Sequence, residues 1–165
     1  MKFGFRQAIA ISFLMSVTAS TAFAQTNTLT FNDPWIRASV PGQKHGAGYV
    51  TITNPSGQAT ELKAVQSDRA KRVELHTILR EDGVAKMRQV QDIPVPANGE
   101  VKLEPGGYHI MFVGLNKPFV AGENIPLTLE FTNQSPVIVN FEVKAATHNP
   151  VRGQSEHIHH HDKGH

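Results

Sequence analysis

Two histidines and two methionines have the types and spacing to bind a soft metal ion. Beyond the first 24 residues, the only methionines are Met87 and Met111, and each lies near a histidine in a β-type sequence. In "GGYHIMFVGL", side chains alternate between two faces, so His109 and Met111 share one face. Thioether-containing donor sets select Cu(I). Zinc is disfavoured because its usual sets use thiolate, imidazole and carboxylate.

The other histidine and methionine lie in the hairpin "RVELHTILREDGVAKMRQV". Asp82-Gly83 is a strong signal for a two-residue turn, which would place His76 opposite Gln89 with Met87 as its diagonal neighbour on the same face. A four-residue loop would put His76 directly opposite Met87. In both registers their Cβ atoms are roughly 5–8 Å apart. A three-residue loop would place them on opposite faces, so this pair depends on the turn.

Together the two pairs predict one Cu(I) site with the ligands His76, Met87, His109 and Met111. The alternative is that both pairs are core packing, since a histidine or methionine in a buried strand usually packs against its neighbours. Every methionine of the mature chain is paired with a histidine in this way, and that favours the metal site.

The sequence around these residues is typical of an all-β domain. Short β-rich runs alternate with turn formers such as Pro41-Gly42 and Asn98-Gly99, and there is no internal repeat or convincing amphipathic helix. This pattern predicts a Greek-key β-sandwich or barrel. The predicted strands are residues 28–32, 35–40, 47–53, 60–66, 71–79, 84–90, 100–104, 108–114, 126–131 and 136–145.

The two ends of the chain differ from this domain. The first residues have a basic start, an apolar stretch and the sequence Ala22-Phe23-Ala24, which indicates an export signal cleaved after Ala24. The apolar stretch is too short to span a bilayer, so we expect no stable membrane insertion after cleavage. We assign residues 1–24 to a signal peptide, 25–147 to the copper-binding domain and 148–165 to a flexible tail.

Composition excludes several functional classes. Lys2 and Arg6 are the only charged residues of the signal, so 14 basic and 14 acidic residues remain and nothing favours nucleic acid. The chain has no cysteine, which excludes disulfides and the thiolate of a blue-copper site. Three histidines before the tail are too few for a dismutase-like cluster, and no hydrolase motif is present. We therefore expect a protein that is not an enzyme.

The tail carries a second candidate metal site. Closely spaced imidazoles on a flexible chain suit Cu(II), Zn(II) or Ni(II). Ile158 and Asp162 interrupt the run, which disfavours a purification tag. A solvated tail that binds metal only incidentally stays an alternative. The histidines are His148, His157, His159, His160, His161 and His165.

The four main candidate ligands follow the spacing H-x10-M-x21-H-x-M. With flanks such as "DPWIRASVPGQKHGAGYVTITN" and "LEPGGYHIMFVGLNKPFVAGENIPLTLEF", this spacing resembles the periplasmic copper chaperone PCu(A)C family over residues 30–145. The resemblance implies a cupredoxin-like β-sandwich that binds one Cu(I) through these four residues. Some relatives carry a methionine shortly after the first histidine, whereas Thr77 and Ile78 follow His76 here.

The resemblance also implies a periplasmic function. Family members donate copper to cytochrome c oxidase assembly, notably to the copper site of subunit II, and often act alongside Sco-type proteins. Some have His- and Met-rich C-terminal extensions that take up a second copper ion, which favours a Cu(II)-collecting tail here. Two other functions stay open: periplasmic copper storage or buffering for metal tolerance, and a sandwich module for protein–protein contact in which the His-Met face is core.

Overall fold

The computed structural model describes residues 28–150, which form ten β-strands and no α-helix. Over this range, no helix has the length and apolar character needed to cross a membrane. The strands are β1 (Thr30–Arg37), β2 (His45–Asn54), β3 (Thr60–Gln66), β4 (Ala70–Glu81), β5 (Val84–Val90), β6 (Ile93–Val95), β7 (Gly99–Leu103), β8 (His109–Leu115), β9 (Asn124–Phe131) and β10 (Val137–Lys144).

The strands form one mixed sheet that wraps around a core. Their order is β5-β4-β8-β2-β1-β10-β9-β3-β6, and β7 pairs with β2. Within residues 28–150, β1 and β10 are the one parallel pair of named strands. The long strand β2 pairs with β8 through residues 45–48 and with β7 through residues 50–54. β8 therefore lies between β2 and β4 in the part of the sheet that holds the candidate site.

Large aromatic and aliphatic side chains fill the inner face of the sheet. Phe112, Phe119 and Phe141 are fully buried there. Gly46 of β2 makes room for Phe119, because a Cβ atom at this position would lie 2.7 Å from the Phe119 ring. Truncating a buried phenylalanine such as Phe112 to alanine would cost about 3–5 kcal/mol of folding free energy.

The predicted all-β class is confirmed, with two differences in the strands. Predicted strands 28–32 and 35–40 form the single strand β1, because a bulge between Asn32 and Trp35 absorbs the irregular backbone at Asp33 (φ 46°). The short strand β6 was not predicted. It lies at one end of the sheet order, where Pro94 is tolerated because a sheet edge does not need its missing N–H.

The assignment of His148 to a flexible tail is wrong. Its ring packs edge-on against Trp35 with centroids 4.7 Å apart, and its carbonyl accepts a hydrogen bond from Arg37 Nη1 at 2.9 Å. These contacts hold His148 on the domain, and its Nε2 is buried rather than presented to solvent as a tail donor. The predicted signal and the other tail histidines lie outside the described residues: residues 1–24, His157, His159, His160, His161 and His165.

Candidate metal centre

Three adjacent strands bring the four predicted ligands to one face of the sheet. His76 of β4 lies directly opposite His109 of β8, and their ring centroids are 5.8 Å apart. Met111 lies two residues after His109 on β8, so the two side chains point to the same face of the sheet. Met87 reaches this face from β5, the neighbour of β4 at the end of the sheet order.

The hairpin that carries Met87 has the predicted two-residue turn. Asp82 and Gly83 both have positive φ angles, 52° and 79°, as a tight turn between right-twisted strands requires. His76 therefore pairs with Gln89, while Met87 pairs with Ile78. Met87 is the diagonal neighbour of His76 on one face, so the register expected from a two-residue turn is confirmed.

His76 has one ring nitrogen engaged and one free. Its Nε2 lies 2.9 Å from Glu74 Oε2, and the other Glu74 oxygen accepts a bond from Arg72 Nε at 3.0 Å. The bond with His76, helped by Arg72, lowers the pKa of the Glu74 carboxyl, although desolvation opposes this shift. An ionised carboxylate can only accept, so His76 Nε2 carries the proton. His76 Nδ1 is buried and has no hydrogen-bond partner within the described residues.

His109 shows the same division between its two ring nitrogens. Its Nδ1 lies 3.1 Å from the carbonyl oxygen of Gly107, which can only accept, so Nδ1 carries the proton and Nε2 keeps its lone pair. The side chain is 4% exposed. Burial lowers the pKa of His109 and repulsion from His76 adds to the shift, while the bond to Gly107 opposes it. His109 is therefore held as the neutral imidazole that a metal needs.

The two methionines differ in exposure. Met111 is partly buried between Glu74 on β4 and Ala47 on β2, whereas Met87 is 52% exposed. Met87, His109 and Met111 line one cleft of about 260 Å³. His76 does not line this cleft, but its ring adjoins that of His109.

The donor chemistry of this face favours a soft ion. Within residues 28–150, no group of three or more His, Cys, Asp or Glu side chains is placed to hold a metal. The donors that this face does bring together are two imidazoles and two thioethers, and sulfur with imidazole suits Cu(I) rather than a hard or borderline cation.

An aromatic layer continues from the site toward the end of β10. The ring centroid of Tyr49 lies 6.5 Å from that of His109 and 4.4 Å from that of Trp35. The Arg37 guanidinium lies over both Trp35 and Tyr49, and it also bonds the carbonyls of Ala146 and His148. Arg37 also lines the cleft, so its hydrogen bonds connect the end of the described chain to one wall of the cleft.

Sequence reasoning missed the groups that orient the two histidines. Glu74 lies two residues before His76, and the period of two along a strand was a signal for their shared face. The carbonyl of Gly107 had no such signal, because its role depends on the path of the turn before β8.

Comparisons with known proteins agree on one family. The model of the family "Putative lipoprotein LpqE-like" matches residues 29–143. "Putative lipoprotein Lxx21020" of Leifsonia xyli subsp. xyli is 31% identical over 131 residues, which are 79% of this chain and 78% of that protein. The solution structure of Cu(I)-DR1885 from Deinococcus radiodurans is 31% identical, with a TM-score of 0.61, over 76% of this chain and 85% of that one.

A third relative supports the fold alone. The copper-bound PCuAC domain from PmoF2 has a TM-score of 0.61 at 24% identity, over 71% of this chain and 92% of that domain.

Proposed function

Because the chain belongs to the LpqE-like, PCu(A)C family of copper chaperones, we propose that it carries Cu(I) on His76, Met87, His109 and Met111. The protein then acts as a carrier and not as an enzyme. Its cargo is a single cuprous ion, held on the cleft face of the sheet between β8 and the β4–β5 hairpin. The Cu(I)-bound state of the relative DR1885 supports this choice of ion.

The observation that carries the proposal is that each imidazole has one nitrogen in a hydrogen bond and the other nitrogen available to a metal. Ligating histidines in proteins almost always donate their other ring N–H to a carboxylate or a carbonyl, which fixes the tautomer and the ring orientation. His76 donates to Glu74 and His109 donates to Gly107. The remaining nitrogens, Nδ1 of His76 and Nε2 of His109, keep the lone pairs that a metal requires.

A thiolate-free site suits delivery of the ion. All four proposed ligands are neutral, so an incoming acceptor can replace them one at a time without displacing a tightly bound anion. Met87 is the most accessible of them because half of its side chain is exposed. We propose that the acceptors are the copper site of cytochrome c oxidase subunit II and Sco-type proteins that assist its assembly.

We place this transfer in the periplasm, with the signal cleaved after Ala24. Membership of a family named for lipoproteins supports export. The 165 residues contain no cysteine, so none of them can carry an S-linked lipid.

The tail histidines extend the proposal to a second, oxidised copper ion. His157, His159, His160, His161 and His165 offer nitrogen donors that suit Cu(II). Deleting residues 153–165 should lower Cu(II) uptake and leave one Cu(I) bound, as measured by metal analysis after loading in each oxidation state. Unchanged Cu(II) uptake would refute a collecting role for the tail.

Transfer of Cu(I) from the mature chain to a purified subunit II copper domain tests the main proposal. We expect the wild-type protein to give up its ion, and the double variant Met87→Leu/Met111→Leu to hold none to give. Leu79 offers a matched control because it lies on the opposite face of the hairpin from Met87. Adding Leu79→Met to Met87→Leu restores the methionine count and should not restore binding.

Other results select other functions. Tight Cu(I) binding without transfer to the subunit II domain would favour copper storage or buffering. An absence of stoichiometric Cu(I) binding by the wild-type protein would leave a module for protein–protein contact.

A further inference from the structure

A fifth donor residue, His45, lines the same cleft as Met87, His109 and Met111. It is the first residue of β2, and its side chain is exposed. His45 lies opposite Val113 of β8, while Ala47 lies opposite Met111. Because facing residues of paired strands point to the same side, the imidazole of His45 and the thioether of Met111 share the cleft face.

The placement of His45 relative to Met111 repeats that of His76 relative to Met87. In each case the methionine lies two residues before the residue that directly faces the histidine, Val113 in one pair and Gln89 in the other. Diagonal neighbours of this kind have α-carbons about 7–8 Å apart, within the combined reach of two long side chains. This face of the sheet therefore carries two histidine–methionine diagonals.

The ring of His45 is free although its backbone is held. Gln43 Nε2 donates to the His45 carbonyl at 2.5 Å, and Gln43 Oε1 accepts from the Val40 amide at 3.0 Å. Within residues 28–150, no hydrogen bond or ion pair engages the His45 imidazole. His76 and His109 each have one ring nitrogen bonded, so of these three histidines His45 is the one that can turn either nitrogen toward an ion.

We propose that His45 and Met111 form a second, transient Cu(I) site at the mouth of the cleft, through which the ion enters and leaves. The proposal rests on the proposed function, since Met111 belongs to both sites. The step is a ligand exchange: the copper–sulfur bond to the exposed Met87 breaks as a copper–nitrogen bond to His45 forms. The bonds to His76 and His109 then break, which leaves a two-coordinate ion between His45 and Met111. Copper stays Cu(I) throughout, so the step needs no oxidant or reductant.

This exchange lets the ion leave the buried histidines before an acceptor binds it. His109 is almost fully buried, whereas His45 is exposed. An acceptor ligand can therefore reach an ion at His45 from solvent, without contacting the buried histidine. The shared Met111 keeps one bond to copper during the move, which avoids a free cuprous ion.

The test is the rate at which the Cu(I)-loaded mature chain, with its tail present, gives copper to a coloured Cu(I) chelator. His45→Gln should slow this release severalfold while lowering the equilibrium affinity less than Met87→Leu does. Lys44→Gln is the matched control, since Lys44 is an exposed neighbour outside the cleft lining and should release copper at the wild-type rate.

Each alternative result has one meaning. If His45→Gln releases copper as fast as the wild type while Met87→Leu weakens binding, the entry site is wrong and the main site stands. If His45→Gln weakens the affinity as much as Met87→Leu does, His45 is a permanent ligand and the transient site is refuted. If Met87→Leu leaves the affinity unchanged, the main site fails and the entry site fails with it.

Discussion

The candidate centre joins two regions of different character. His76, His109 and Met111 lie on the central sheet, where β8 is paired on both sides, with β4 and with β2. Met87 lies on the hairpin arm, defined as residues 77–88, where β4 and β5 pair only with each other within the described chain. Every residue of β5 from Val84 to Gln89 is exposed.

In the proposed function, this difference assigns the binding of the ion to the central sheet and its release to the hairpin arm. A two-stranded hairpin with both faces in water is marginally stable by itself, whereas a strand inside a sheet over a packed core is rigid. The three ligands of the central sheet are thus fixed in advance. If Met87 binds copper as proposed, it has to be ordered in that step, so we expect it to contribute less to affinity and to be the first ligand displaced.

Replacing each methionine by leucine, which conserves volume, measures this difference directly. Met111→Leu should weaken Cu(I) binding by more than about 100-fold, beyond the 10- to 100-fold that loss of a supporting residue costs at metal sites. Met87→Leu should weaken binding only within that 10- to 100-fold range. The entropy that the arm loses when Met87 binds copper offsets part of the free energy of the copper–sulfur bond. Competition with a Cu(I) chelator gives both values, and a larger loss for Met87→Leu would contradict the contrast.

Glu74→Gln tests how the central sheet orients His76. The amide keeps the shape of the side chain but removes the charge that accepts from His76 Nε2, so Cu(I) affinity should fall about 10- to 100-fold. Glu81→Gln is the matched control, because Glu81 bonds Lys86 and Arg88 on the arm and lies on the opposite face of the hairpin from Met87. Equal effects of the two substitutions would show that net charge, and not the bond to His76, is responsible.

The stability of the apoprotein should depend on pH through the central sheet. Burial lowers the pKa of His109 in the folded protein below its ordinary 6.5, so between these two pKa values the unfolded chain binds more protons than the folded one. The free energy of unfolding should therefore be highest above about pH 6.5 and should decrease as pH drops through the folded pKa. Urea unfolding across this range measures it, and His109→Gln should flatten the dependence. An equal slope in that variant would assign the effect to other groups.

The sequence was sufficient for the parts of the fold that depend on local rules. The alternation of side chains placed His109 and Met111 together, and Asp82-Gly83 predicted the register that brings Met87 beside His76. The direct pairing of His76 with His109 could not be predicted, because no local signal specifies which strands become neighbours. For the same reason, the four-residue metal site rested on spacing and resemblance.

Long-range contacts explain the remaining differences. His148 looked like the start of a polar tail, but Arg37 and Trp35, more than a hundred residues earlier, supply the partners that hold it. Local composition contains no information about such partners. Glu74 is the opposite case, because its distance of two residues from His76 on a strand was enough to predict a shared face.

X-ray absorption at the copper edge of the Cu(I)-loaded mature chain tests the central claim most directly. The wild-type protein should show two sulfur and two nitrogen neighbours around one copper ion. Met87→Leu and Met111→Leu should each remove one sulfur, and the double variant should remove both. A sulfur contribution that survives unchanged in either single variant, or that is absent from the wild type, would contradict a site built from these two methionines.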